Sequence, residues 1–164
     1  MGTSGPIAVA TGSHAVAELA GDGTSLADYA SEVACTPTTE PTSAARAPIG
    51  TSAEVTVGAG EHVVCTFENQ RKGTITVTKA LVPKTDAGLF DLAIGGTTRA
   101  TDVGEGGTTG AITLDAGTYT VAELAGSGTT LADYTSSVTC VDGGSTPLID
   151  AAAGTAAQVD LANG

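Results

Sequence analysis

Apolar and polar residues alternate along most of this chain with a period of two, and the alternating stretches are short. In the second half, TITVTKALV (74–82) gives way to a turn at PKTDAG, then LFDLAI (89–94) and a Gly/Thr-rich stretch. AITL (111–114), the turn DAG, TYTVAEL (118–124), SSVTCV (136–141) and AAQVDL (156–161) follow. Short alternating strands separated by Gly, Pro and Asp turns predict antiparallel β-sheet folded as a sandwich. β-Branched residues and glycines fill every window that could hold a helix, so helix is nearly excluded. SLADY and TLADY are expected to form at most a single helical turn.

The pattern occurs twice. GTSGPIAVATGSHAVAELAGDGTSLADYASEVAC (2–35) aligns without a gap on GTTGAITLDAGTYTVAELAGSGTTLADYTSSVTC (107–140). After a loop one residue longer in the first copy, AEVTVGAG (53–60) matches AQVDLANG (157–164). Such a repeat is the mark of a tandem array, which usually makes length or avidity rather than chemistry. The first copy has nothing matching 73–106, and it continues as EHVVCTFENQRKG (61–73) where the second stops. The expected division is therefore residues 1–72, the C-terminal part of one repeat, and residues 73–164, the N-terminal part of the next without its closing strand. The chain is expected to be a window on a longer array, with no signal peptide ahead of Met1.

Period two also says which side chains share a face. Ile75, Val77 and Lys79 do; so do Tyr119, Val121 and Glu123; so do Val63, Cys65, Phe67 and Asn69. Each apolar face ends in one polar group. If these faces line a core, the three groups are at least partly buried, and a lone buried charge costs several kcal/mol unless paired or neutralised. A desolvated lysine amine is pushed toward its neutral, nucleophilic form. A desolvated glutamic acid keeps its proton, can polarise an amide carbonyl and can shuttle that proton. An asparagine carboxamide held beside both can be attacked, releasing ammonia and leaving an isopeptide bond, with proximity supplying most of the acceleration. The plainer alternative is that all three are strand-end residues reaching solvent, as lysine does readily.

Composition narrows the function. Six Lys+Arg against 18 Asp+Glu give a net charge of −12, which argues against nucleic acid and against direct binding to an anionic membrane. No apolar run approaches the roughly 20 residues of a membrane span. Aromatic residues are 3 % of the chain and Trp is absent, so the cores must rest on Val, Ile, Leu and Ala. Of the three cysteines, Cys35 and Cys140 occupy the same repeat position. The simplest pairing is Cys35–Cys65, leaving Cys140 an unpaired thiol and suggesting an oxidising compartment; buried free thiols are the alternative.

An enzyme acting on an outside substrate is not expected. No nucleophile elbow, phosphate loop, HExxH or CxxC occurs. His14 replaces Tyr119 of the other copy and is read as an aromatic-sized filler, and His62 lies in another strand-like segment. Asp22, Asp28, Asp102 and Glu105 are candidate calcium ligands, but no dense D-x-D-x-D loop is present. No cofactor and no metal are expected.

GTITVTKALVPKTDAGLFDLAI resembles the opening strands of the prealbumin-like (Cna B-type, or SpaA-like) domains of Gram-positive surface proteins and pilins. GTYTVAELAG resembles their G-x-Y-x-x-x-E strand, and VVCTFENQRKG their closing strand running into the next domain. The resemblance covers nearly the whole chain, and the Ala, Gly and Thr content is similar to actinobacterial members. It implies an all-β fold of tandem prealbumin-like (Ig-like) antiparallel sandwiches, both truncated relative to the repeat unit. It also implies a place outside the cell, on the wall or surface. By position, Lys79 is similar to the family's isopeptide nucleophile, Glu123 and Glu18 to its promoting acid, and Asn69 to its acceptor.

Lys79 and Asn69 belong to different repeat units, so they are not a native pair. Asn163 falls in the turn before the missing strand and is a poor substitute. The implied function is a structural stalk or spacer of a surface adhesin or pilus-like protein, partnered by neighbouring repeats and carrying self-made Lys–Asn crosslinks. The alternative is a ligand-binding adhesin module whose loops recognise a host protein or glycan. Near-identity of GDGTSLADY and GSGTTLADY favours the stalk, because a dedicated binding loop would diverge between copies.

Overall fold

The structure, a computed structural model, describes residues 2–38 and 50–164. Most of the first copy's longer loop, residues 39–49, lies outside the described residues. The described residues are all-β apart from two single 3-10 turns, Leu26–Asp28 and Leu131–Asp133, which fall in the two LADY motifs. The chain divides into two compact units, residues 1–71 and 72–164.

Unit 1 contains four strands: β1 (Gly12–Ala17), β2 (Tyr29–Pro37), β3 (Ser52–Val57) and β4 (Val63–Arg71). They form two antiparallel pairs, β1 with β3 and β2 with β4. β4 runs along the whole of β2, from Tyr29 opposite Arg71 to Pro37 opposite Val63. Phe67 stands opposite Val33, which has no solvent exposure.

Unit 2 contains β5 (Gly73–Ile75), β6 (Phe90–Ile94), β7 (Thr97–Val103), β8 (Ile112–Leu114), β9 (Gly117–Ala125), β10 (Ser137–Val141), β11 (Pro147–Ala153) and β12 (Ala156–Leu161). An antiparallel sheet in the order β12-β9-β6-β7 forms one layer. Two further pairs, β5 with β8 and β10 with β11, send Ile112, Leu114, Val138, Cys140 and Ile149 against a core of Ile75, Ile94, Val121 and Val159. Two apolar layers closing on one core make the antiparallel sandwich expected of the alternating pattern.

The alternation locates most strands closely, and the last, 156–161, to the residue. Three expectations differ. The stretch 74–82 is not one strand: β5 ends at Ile75, and beyond it a single bridge joins Thr78 to Thr108. Two further strands lie outside the stretches that the alternation marks. β7 is polar on both faces, TTRATDV, and takes its place by pairing with the apolar β6. β11 is rich in alanine and pairs with β10 through two register shifts.

Candidate crosslink site

The two units share one scaffold. Gly12 stands opposite Val57 and Ala17 opposite Ser52; at the same repeat positions Gly117 stands opposite Leu161 and Ala122 opposite Ala156. The His14 ring nitrogen donates to the carbonyl of Ala10 at 2.7 Å, and the Tyr119 hydroxyl donates to the carbonyl of Asp115 at 2.9 Å. Each ring reaches the residue four places before it, so His14 fills the position that Tyr119 fills in the other unit.

On this scaffold each glutamate is brought to a different partner. In unit 2 the Lys79 ammonium donates to Glu123 Oε2, and the Ser136 hydroxyl donates to Glu123 Oε1 at 2.9 Å. The Lys79 and Glu123 side chains are only 10 % and 13 % exposed. The ammonium also lies 3.9 Å from the centroid of the Phe90 ring, a cation–π contact that offsets part of its lost hydration. Tyr134 packs edge-on against Phe90, with centroids 5.0 Å apart and planes at 79°. The Tyr134 hydroxyl donates to Asp86 at 2.9 Å, and this bond, after that from the Gly88 N–H, holds the Asp86 carboxyl below its ordinary range. Gly88 is required here because a β-carbon would overlap the Tyr134 hydroxyl.

In unit 1 the Asn69 carboxamide donates to Glu18 Oε1. Asn69 itself is exposed, as the strand-end alternative has it. Ser31, the counterpart of Ser136, lies opposite Asn69 and is 7 % exposed. Glu18 Oε2 and Ser31 Oγ are buried without a hydrogen-bond partner among the described residues. In unit 2 both carboxylate oxygens of Glu123 have donors, Lys79 on Oε2 and Ser136 on Oε1. One unit therefore holds acid and amine, the other acid and carboxamide. The structure gathers Lys79 with Glu123 and Glu18 with Asn69, and it leaves Lys79 and Asn69 in different units.

Sequence reasoning did not single out Ser31, Ser136, Phe90, Tyr134 or Asp86. Ser31 and Ser136 were legible through their shared repeat position and through the common face of Ser31, Val33 and Cys35. Phe90 lies in LFDLAI (89–94), an apolar run whose core position the pattern does not specify.

The cysteines divide as expected. Cys35 and Cys65 are directly opposite across β2 and β4, with Cα atoms 4.0 Å apart, and form a disulfide. Cys140 is free and half-buried, and burial pushes its thiol pKa up. Among the described residues no group of three or more His, Cys, Asp and Glu side chains could hold a metal ion. Asp102 instead accepts from the Ser127 backbone and hydroxyl, and Glu105 accepts from the Leu81 N–H and pairs with Lys84 at 3.3 Å. No helix of the described residues is long and apolar enough to cross a membrane.

Comparison with curated proteins and with solved structures gave no match. A family model, SpaA-type prealbumin-like fold domain, matches the chain twice, over residues 1–71 and 74–164. The chain therefore belongs to the family of SpaA-type prealbumin-like fold domains.

Proposed function

We propose that the chain is a structural spacer of a cell-surface or pilus-like protein, located outside the cell, whose units are secured by Lys–Asn isopeptide bonds. Tandem membership of a prealbumin-like family supports the spacer reading. The observation that carries the crosslink is the enclosed Lys79–Glu123 pair of unit 2, set against the Glu18–Asn69 pair at the same repeat position in unit 1. The near-identical loops speak against a module that reads a host protein or glycan.

The reaction needs no cofactor. The ammonium of Lys79 passes a proton to Glu123, and the protonated acid polarises the carboxamide carbonyl of an asparagine placed where Asn69 stands in unit 1. The free amine attacks that carbon. A C–N bond forms; the carboxamide nitrogen takes the acid's proton and leaves as ammonia, the attacking nitrogen gives up its surplus proton to Glu123, and that proton departs with the ammonia as ammonium, which regenerates the Glu123 carboxylate. Burial beside Phe90 keeps water from competing, and fixed proximity does the rest.

To test this, the protein is mixed with a peptide of residues 61–72 and run under denaturing, reducing conditions with intact mass. The expected product is a covalent adduct lighter than the sum of its parts by one ammonia, absent from Lys79→Ala and Glu123→Ala. No adduct from folded protein after long incubation would leave a noncovalent, disulfide-held spacer.

A further inference from the structure

In each unit one Gly–Thr step ties the backbone of the glutamate to the backbone of a serine. In unit 2 the Gly154 N–H donates to the Ser136 carbonyl at 2.9 Å, and the Glu123 N–H donates to the Thr155 carbonyl at 2.7 Å. In unit 1 the Gly50 N–H donates to the Ser31 carbonyl and the Glu18 N–H to the Thr51 carbonyl, both at 2.9 Å. Gly154 has a φ of 114° and Gly50 a φ of 139°, and a β-carbon at either would meet nothing within 4 Å. Glycine is kept there for its backbone conformation, not for space. The step therefore holds acid and serine in one frame in both units.

The side chains use that common frame differently. In unit 2 the Ser136 hydroxyl donates to Glu123 Oε1 at 2.9 Å while Lys79 holds Oε2. In unit 1 the Asn69 carboxamide donates to Glu18 Oε1. Ser31, directly opposite Asn69, is off the acid, and its hydroxyl has no hydrogen-bond partner among the described residues. One oxygen of the acid is thus held by the serine in one unit and by the carboxamide in the other.

We propose that Ser136 is the positioning residue of the crosslinking acid, holding Glu123 Oε1 until an asparagine carboxamide takes that oxygen over. The inference rests on the crosslink reading above. The terminal torsion of a glutamate is broad and roughly two-fold, so a single donor leaves the carboxylate plane free to turn about Cγ–Cδ. Lys79 on one oxygen and Ser136 on the other fix that plane at two points, and hydrogen bonds to an ionised acceptor are the stronger kind. Oε2 is thereby kept on the amine whose proton it takes. The arriving carboxamide displaces the hydroxyl from Oε1, as the Glu18–Asn69 pair has it, and amine and carboxamide are then gathered on one acid. Ser136 itself makes and breaks only hydrogen bonds in this sequence.

The test compares Ser136→Ala with Ser136→Thr in the full chain, since threonine keeps the hydroxyl. The first readout is the carboxyl 13C relaxation of Glu123, which follows motion of the carboxylate plane and needs no crosslink. The plane should become mobile in Ser136→Ala and stay held in Ser136→Thr. Ser31→Ala should leave the carboxyl relaxation of Glu18 unchanged, because Asn69 and not Ser31 holds that acid. The second readout is the rate of adduct formation with the peptide of residues 61–72. It should fall about tenfold or more in Ser136→Ala and recover in Ser136→Thr. If the unsubstituted chain gives no adduct, the crosslink reading fails, and the relaxation of Glu123 alone decides the positioning role. A Glu123 plane still held in Ser136→Ala would overturn the inference. So would a mobile plane in Ser136→Thr, a change at Glu18 in Ser31→Ala, or an adduct rate that Ser136→Ala leaves unchanged.

Discussion

Units 1 and 2 contain the same repeated segment in the same register and bury different parts of it. Val16 of unit 1 is half-buried, and Val121, its counterpart, is 3 % exposed. Val33 is fully buried, and Val138, its counterpart, is not. The differences run in opposite directions because each unit has a flanking piece the other lacks. Unit 2 has β5 and β6, whose Ile75 and Ile94 close over Val121. Unit 1 has β4, whose Phe67 closes over Val33. Local alternation therefore sets strand, register and face, and the flanking strands decide which of those faces becomes core. The glutamates follow the same rule: one repeat position meets a lysine in unit 2 and an asparagine in unit 1.

The comparison is broken most severely at Phe90, a side chain with no exposure that serves only unit 2. Phe90→Ala should cost unit 2 roughly 3–5 kcal/mol. Denaturant unfolding followed by hydrogen exchange should show loss of protection in 72–164 while the β2–β4 ladder keeps its own. Next is the disulfide, which serves only unit 1. Cys65→Ser should lower the stability of unit 1 by roughly 3 kcal/mol and leave the protection of β6 and β9 unchanged.

A smaller contrast lies in acid. Asp86, Asp102 and Glu105 have carboxyl pKa values below their ordinary ones, chiefly through N–H donors from Gly88, Ser127 and Leu81. A depressed folded-state pKa gives stability that is present above the unfolded value of about 4 and is lost as pH falls through the folded value. All three groups belong to unit 2. Acid titration should therefore weaken unit 2 progressively below about pH 4, and Asp102→Asn should flatten that dependence.

Much of this was legible from residues alone. The repeat was visible as a string, and period two placed Lys79 and Glu123 on inward faces that the structure brings together. The Cys35–Cys65 pairing followed from repeat position and cysteine count. What was not legible depends on partners distant in sequence. β7 and β11 have little apolar pattern of their own and become strands by pairing with β6 and β10. Lys79 lies beyond the end of β5 and reaches Glu123 without a continuous strand beneath it. The exposure of Asn69 is equally a matter of what covers its end of β4, which alternation does not encode.

The central claim is that the chain holds complementary halves of one reaction centre in separate units, so that Lys79 and Asn69 of one molecule do not join. The segments 61–70 and 74–82 are linked by only a few residues and cannot readily lie side by side in parallel. The direct test is the intact mass of the purified, reduced and denatured chain after prolonged incubation of the folded protein. The account predicts the full mass of the sequence. A product lighter by one ammonia, with Lys79 and Asn69 joined in the peptide map, would contradict it.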